Sequence, residues 1–469
     1  MTTTRAATGE SPGTATPAAG DARPPARRPG SAPRRLNADL AGVLLGVGLG
    51  ASVALAITTQ PGGSLSAPGG VATFLGSLTG LVGTYLALVM VLLMARVAPV
   101  EKVIGQDRLA RWHRRLSPWP ISLLVAHAVF ITIGYAEQAK SGLGKEIGSL
   151  LGSYPDVLAA TVSLGLMVAV GIASIRAIRR RLRHETWWVL HLYLYLALAF
   201  AFAHVLALGP AFVGHPLTQA VWSLVWAATA GLVVVYRFVL PVVRSVRLGL
   251  RVVEVRKEGD DIYSVVCTGR RLETLPVDGG QFFIWRFLTR HLWWEGHPYS
   301  LSALPAPPYL RLTVRARGDH SRALTGLAPG TRVFVEGPYG AFTRHARRRE
   351  RALLIAGGIG VTALRALLED LPRQAVPVVL LRVSRPEDLV FREELALLVE
   401  QRGGKLHELV GSRTDLPFDA RSLKKLVPDI ARRDVFVCGP DGFVEAVTRT
   451  ASRLGVPNEA LHHEAFSLS

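Results

Sequence analysis

The stretch WHRRLSPWPISLLVAHAVFITIGY, Trp112 to Tyr135, decides how this chain is read. It is an apolar run of membrane length that carries two histidines, His113 and His127, 14 residues apart. A second stretch, WWVLHLYLYLALAFAFAHVLAL from Trp187 to Leu208, repeats the arrangement with His191 and His204, 13 residues apart. A lone histidine on an apolar helix is usually a satisfied core residue. Two on each of two membrane-length segments point to function, because ionisable groups in lipid are rare and costly.

Composition agrees with a membrane portion. The chain has 469 residues, 49% of them hydrophobic, which is long enough for two or three domains. Formal net charge is +19, from 54 Lys and Arg against 35 Asp and Glu. Such a balance can serve nucleic acid, but here arginine clusters at the ends of apolar spans, and no nucleic-acid partner is expected. The two cysteines, Cys267 and Cys438, are too few for a disulfide framework or a cysteine-rich metal site. Residues 1–36, rich in Thr, Ala, Pro, Gly and Arg, are expected to be disordered. Six apolar segments follow: Leu40–Thr58, Phe74–Met94, Ile121–Tyr135 with its lead-in, Val157–Ile175, Trp187–Leu208 and Leu217–Leu240. A helix needs about 20 residues to cross a core of about 30 Å. The third segment reaches that only if its helix begins near Arg111, with Pro118 and Pro120 kinking it.

Orientation follows from the connections. Arg96, Lys102, Arg108, Arg111, Arg114 and Arg115 lie between segments two and three, and Arg176, Arg179, Arg180, Arg181 and Arg183 between four and five. The positive-inside rule puts these loops and both termini in the cytoplasm of a multi-pass plasma-membrane protein. Segments three and five then run in the same direction. His113 sits at the depth of His191, near the cytoplasmic face, and His127 at the depth of His204, roughly 20 Å further out at 1.5 Å per residue. Haem iron takes imidazole nitrogens from both sides of its ring, and facing helices can supply them. The four histidines are therefore read as metal ligands for two stacked b-type haems. Thirteen residues is about 140° out of phase with whole turns, so His191 and His204 leave a straight helix on different sides. The alternatives are core histidines without metal, or a proton relay.

After Arg244 the texture becomes polar. Short strands are expected at Arg251–Val255, Tyr263–Thr268, Gln281–Trp285, Leu310–Arg315 and Arg332–Glu336, the pattern of a small β-barrel. From Arg351 strands alternate with helices: Leu353–Ala356, Thr362–Leu371, Val376–Val383, Glu387–Glu400, Val435–Cys438 and Gly442–Leu454. That alternation reads as a doubly wound α/β sheet. In His297-Pro298-Tyr299-Ser300-Leu301-Ser302, an aromatic can lie on a flat ring and a hydroxyl can meet ring nitrogen or oxygen. In Gly318-Asp319-His320-Ser321-Arg322, a helix start with Ser321 and Arg322 can hold a pyrophosphate. Gly357-Gly358-Ile359-Gly360-Val361-Thr362 follows a strand and opens a helix, the context of a phosphate-binding turn. Ser384 and Arg385 end the next strand, where a guanidinium can take a 2′-phosphate and favour NADPH over NADH; the alternative is a plain surface arginine. Cys438-Gly439-Pro440 ends a later strand, at the edge where ligands bind.

His297–Ser302, Glu336-Gly337-Pro338-Tyr339-Gly340, Gly357–Thr362 and Val437-Cys438-Gly439-Pro440 come in the order seen in ferredoxin–NADP reductase-type flavoproteins. Joined to six spans with four spaced histidines, the chain resembles the NADPH oxidase and ferric reductase superfamily over roughly residues 40–469. The resemblance implies an NAD(P)H-dependent flavocytochrome oxidoreductase of four parts: a tail (1–36), a six-span haem-binding domain (37–245), an FAD-binding β-barrel (246–345) and an NAD(P)-binding α/β domain (346–469). It implies that Tyr299 and Ser300 meet the isoalloxazine, Ser321 and Arg322 the FAD pyrophosphate, and Gly357–Thr362 the nucleotide phosphates. It places Cys438 near the nicotinamide and Phe466 over the flavin, although Ser467-Leu468-Ser469 runs past Phe466. Electrons would pass from NADPH to FAD, to the His113/His191 haem, to the His127/His204 haem, and to a small-molecule acceptor outside, dioxygen or a ferric chelate. The expected partners are membrane lipid and that acceptor; a partner subunit is left open. A different class is a membrane-anchored flavin reductase whose spans serve only as anchor, or as a haem or proton conduit to quinone or cytoplasmic partners.

Overall fold

The computed structural model describes residues 33–154, 156–182, 184–412 and 418–466. Most of the tail expected to be disordered, together with Arg183 and Ser467–Ser469, lies outside them. Residues 33–36, assigned to that tail, instead open the first helix, α1 (Pro33–Thr58). Next come α2 (Gly70–Met94), α3 (Pro118–Ala139), α4 (Val157–Ala173), α5 (His184–Leu208) and α6 (Pro216–Leu248). Among the described residues, five helices are long and apolar enough to cross a membrane. A sixth span exists if Leu143–Ser153 and α4, which meet at a 111° bend, count as one. The reason is length. α4 has 17 residues, about 25 Å of helix against a core of about 30 Å, and the preceding helix Leu143–Ser153 is set at 111° to it.

Proline shapes two of these helices. The helix Gln106–Leu116 leads to Ser117, and α3 starts on Pro118. Ser117 keeps right-handed helical backbone, so the third span runs as one helix of 32 residues, Arg108–Ala139, with Pro118 at the join. In α6 the backbone widens to a π-helical turn over Val235–Val239, just ahead of Pro241, whose missing N–H cannot bond to the turn before it. The 33 residues of α6 span about 50 Å, so about 20 Å of it projects beyond a lipid core. Gly249, at φ +53°, caps it in the left-handed conformation and the chain passes directly into a strand.

The polar half begins with two three-stranded antiparallel sheets. β1 (Arg251–Lys257), β2 (Ile262–Thr268) and β5 (Tyr309–Arg315) make one, and β4 (His297–Ser300), β3 (Phe282–Phe287) and β6 (Val333–Tyr339) the other. Single bridges join them on both sides, Arg251 to Arg332 and Leu301 to Leu312. Phe283, Trp285 and Phe287 fill the space between the sheets and are fully buried; each stabilises by about 1.5–3 kcal/mol relative to exposure. The last part is a five-stranded all-parallel sheet in the order β11-β10-β7-β8-β9. These strands are β7 (Arg351–Gly357), β8 (Val378–Val383), β9 (Lys405–Val410), β10 (Arg433–Pro440) and β11 (Leu461–Phe466). From β7 the chain winds one way to β8 and β9, and later the other way to β10 and β11. The switch point lies between β7 and β10, where a crevice opens at the strands' carboxyl ends.

Candidate functional site: histidine pairs and a nucleotide crevice

His113, on the helix preceding α3, faces His191 on α5 with ring centres 6.2 Å apart, and His127 faces His204 at 6.3 Å. Two imidazoles on opposite sides of one metal, each with a bond of about 2.0–2.1 Å and about 1.1 Å from nitrogen to ring centre, put the centres about 6.2–6.4 Å apart. The residues fit two such ligand pairs. α5 runs unbroken from His184 to Leu208, so its out-of-phase histidines are met from different sides.

The ring orientations are held from behind. His127 Nδ1 donates to Gly76 O at 2.8 Å and His113 Nδ1 to Met90 O at 3.2 Å. Both bonds direct Nε2 away from α2, towards the partner ring. His191 Nδ1 and His204 Nδ1 are buried with no hydrogen-bond partner. Trp187 lies on His191 at 4.9 Å, is capped by the Arg179 guanidinium at 4.3 Å, and donates its indole N–H to Ser174 Oγ at 3.2 Å. The seat of His127 is a groove in α2. A Cβ on Gly80 would stand 2.7 Å from His127 Nδ1, and one on Gly76 2.7 Å from Ile131. The spacing Gly76-x-x-x-Gly80-x-x-Gly83 was the signal for this groove in the sequence, and small residues at such spacing let membrane helices approach closely.

α6 and the end of α2 tie the membrane half to the sheets. Ser245 Oγ donates to Val335 O and accepts from Val335 N, both at 2.9 Å, and is itself buried. The Arg96 guanidinium sits 4.3 Å above the Tyr339 ring. β6, which carries Glu336-Gly337-Pro338-Tyr339, is thus the strand that the membrane half grips.

On that domain, β4 presents Tyr299, whose hydroxyl is 3.3 Å from His320 Nδ1. Trp285 donates to Tyr299 O at 3.0 Å and fixes the strand. Burial, then the charge of Glu295, raises the Tyr299 phenol above its ordinary value. Burial, then His297, lowers His320 to about 4, so its ring is neutral at pH 7. Ser300 is 3% exposed and its hydroxyl has no partner, an orphaned donor of the kind a heterocyclic ligand satisfies. Ser302 is different: it accepts from Thr313, which is bonded to Ser264, in a fully buried hydroxyl chain. Pro298, between His297 and Tyr299, is exposed on the edge strand. Ser321 Oγ accepts from Gly318 N at 3.0 Å, and Arg322 pairs with Asp319 at 3.0 Å. These residues fit a flavin.

In the parallel sheet, Gly357–Gly360 turns directly into the helix Val361–Asp370. Gly358 has φ +55°, and a Cβ on Gly360 would lie 2.2 Å from Cys438 O. Glycine is therefore what lets the ends of β7 and β10 touch at the switch point, with Gly439 and Pro440 beside them. Val361 and Thr362 are buried at the helix start, and that N-terminus suits an anionic nucleotide. Cys438 is fully buried, and burial, then Glu464, raises its thiol well above the ordinary value. Its side chain packs inside the sheet core. Phe466 ends β11 opposite Pro440 and packs against the sheet core; no described contact joins it to Tyr299. Ser384 and Arg385 follow β8, with Arg385 half exposed and its nearest carboxylates, Asp388 and Asp260, at 3.8 and 3.9 Å.

A network that local sequence patterns do not reveal bolts the two polar domains together. Arg311 binds Glu394 through two bonds of 2.8 Å, Arg365 adds a third at 2.7 Å, and Arg365 also pairs with Glu369. Arg315 pairs with Asp388 and, at 3.0 Å, with Asp261. Burial alone would raise the Glu394 carboxyl, but Arg311 and Arg365 hold it below its ordinary value.

Two family models match. Residues 79–202 match a ferric reductase like transmembrane component, and residues 247–343 an FAD-binding domain. The chain is 30% identical over 187 residues to ferredoxin–NADP reductase B of Sorangium cellulosum, covering 36% of this chain and 77% of that protein. It is 32% identical over 161 residues to the carnitine monooxygenase reductase subunit of Escherichia coli, covering 34% of this chain and 48% of that one. The chain spans about half the length of most of the curated relatives it matches. Among solved structures, the flavohem-like FAD/NAD binding domain of nitric oxide dioxygenase from Vibrio cholerae is 24% identical, with a TM-score of 0.40, over 47% of this chain and 100% of that one.

Proposed function

The chain belongs to the NADPH oxidase and ferric reductase superfamily, and on that premise we propose that it carries electrons across a membrane, from cytoplasmic NADPH through FAD and two b-type haems to an acceptor on the far side. It is a multi-pass membrane protein and an NAD(P)H-dependent flavin oxidoreductase. The observation that carries the reading is the pair of imidazole–imidazole separations, 6.2 and 6.3 Å, on helices of membrane length.

A bound flavin would supply the step between hydride and single-electron transfer, and bound haems a single-electron relay. The chain's own residues position and tune. His113 with His191 would hold the inner haem and His127 with His204 the outer one, with the His113 and His127 ring tautomers fixed by Met90 O and Gly76 O. Tyr299 and Ser300 receive the flavin ring, and Ser321 and Arg322 its pyrophosphate. Gly357–Thr362 takes the nucleotide phosphates, Arg385 the 2′-phosphate, and Cys438, Gly439 and Pro440 wall the nicotinamide. Phe466 stands at the same sheet edge. The arginines after α2 and α4 support a cytoplasmic orientation of this machinery in a plasma-membrane protein. Because each histidine pair would supply two imidazole ligands, a small-molecule acceptor, dioxygen or a ferric chelate, would be reduced by electron transfer on the far side of the membrane, not by binding to the metal. The test uses proteoliposomes with NADPH on the flavin side and either a superoxide probe or a ferric chelate trapped opposite. Reduction of the trapped probe supports the reading; NADPH oxidation confined to its own side of the membrane overturns it.

A further inference from the structure

We propose that Glu295, His297 and His320 form a site for a divalent transition-metal ion of the zinc type, and that a metal held there excludes the flavin. One ligand atom from each residue lies within 4.8 Å of the others, the one such group among the described residues. Two imidazoles and one carboxylate are a donor set that zinc accepts while keeping a fourth position open. The three side chains are already neighbours: His297 Nε2 and Glu295 Oε2 are 3.2 Å apart, and the His297 and His320 rings lie face to face at 3.6 Å, so one ring must turn about its side-chain torsions for both imidazoles to meet the same ion in their ring planes.

A second observation is independent of that clustering. His320 Nε2 is buried and has no hydrogen-bond partner, while Nδ1 is engaged with the Tyr299 hydroxyl. A metal at Nε2 satisfies the orphaned atom and leaves Nδ1–H to donate to the phenol oxygen, the outer-shell arrangement usual for a metal-bound histidine. All three groups are partly shielded from solvent, which favours a bound ion over hydrated side chains.

The exclusion rests on the flavin reading of this face; the metal site does not. His297 and Tyr299 are two apart on β4 and so share one side of the strand. His320 directly precedes Ser321 and Arg322 on the short helix Asp319–Ala323. A metal linking His297 to His320 pins β4 to that helix, closing the cradle between the ring-binding and pyrophosphate-binding residues.

The test uses the full chain in detergent, stripped of flavin and treated with chelator, then titrated with Zn²⁺ alone and with Co²⁺ as a spectroscopic probe. One ion per chain is expected at this site, with affinity lowered at least tenfold in both His320→Ala and Glu295→Gln. Glu295→Gln is a near-isosteric change that guards against a folding defect. Saturating Zn²⁺ should raise the apparent Kd for FAD at least tenfold, and His320→Ala should abolish that effect. Zinc binding that neither substitution alters overturns the site. One zinc per chain with unchanged FAD affinity overturns the exclusion. Failure of FAD to bind without any metal overturns the flavin reading, while the metal titration still decides the site.

Discussion

Gly80 gives the sharpest handle on the histidine pairs. A Cβ placed there stands 2.7 Å from His127 Nδ1 and 3.1 Å from Cε1, so Gly80→Ala must push the ring by about 0.7 Å to reach ordinary van der Waals contact. The His127 Nδ1–Gly76 O bond, now 2.8 Å, then stretches to about 3.5 Å, the limit beyond which it no longer counts as a bond. Losing it removes about 0.5–1.5 kcal/mol, and the overpacking adds about 1–3 kcal/mol. The gain in helix propensity from alanine returns at most about 1 kcal/mol. The net penalty of about 1–3 kcal/mol falls on one ring, so outer-haem affinity should drop about 5- to 150-fold while the inner pair is untouched. The assay is haem content and redox titration of the purified protein. Gly231→Ala is the control, because a Cβ there meets nothing within 4 Å, and it should leave both haems in place. Retention of two haems with unchanged midpoint potentials in Gly80→Ala would refute the groove as the seat of a ligand histidine.

Other consequences are equally specific. Ser245→Ala deprives the Val335 amide and carbonyl of their shared hydroxyl; about 1–2 kcal/mol is lost, and stopped-flow should show slower haem reduction with flavin reduction unchanged. Arg385→Ala should raise KM for NADPH about 10- to 100-fold and leave NADH nearly unaffected, since a guanidinium fork on the 2′-phosphate is worth about 1.4–3 kcal/mol. Glu394→Gln should weaken the docking of the two polar domains by about 1–2 kcal/mol, discounted because the carboxylate is part exposed, read as a lower Tm of the full chain in detergent. The same carboxyl is held below its ordinary value, so its stabilisation is complete above the unfolded pKa of about 4.3 and is lost as pH falls towards the folded one. Wild type should lose Tm on acidification faster than Glu394→Gln.

Much of this was legible in the sequence, and the failures have physical causes. The spacing of His113, His127, His191 and His204 and the arginine-rich loops were enough to pair the rings, because depth in a membrane is a one-dimensional problem. The 140° phase difference on α5 does not keep its two histidines from facing His113 and His127 at 6.2 and 6.3 Å. β4 went unrecognised because Pro298 sits inside it, which an edge strand tolerates. Leu143–Ser153 was read as a loop because it is too short to span alone. Ser302 shares the motif with Ser300, yet its hydroxyl is engaged by Thr313 in the buried interior. The Arg311–Glu394 contact joins residues 83 positions apart, and no local pattern encodes such a pair.

The central claim is that four histidines hold two haems in series with the flavin. It is tested most directly by pyridine haemochrome analysis and anaerobic visible spectroscopy of the purified full chain, before and after NADPH. Two b-type haems per chain, both with low-spin bis-imidazole spectra and both reduced by NADPH once FAD is bound, are the predicted result; in His127→Ala one haem should remain and still be reduced. A protein without haem, or with haem that NADPH leaves oxidised while the flavin is reduced, would contradict the account.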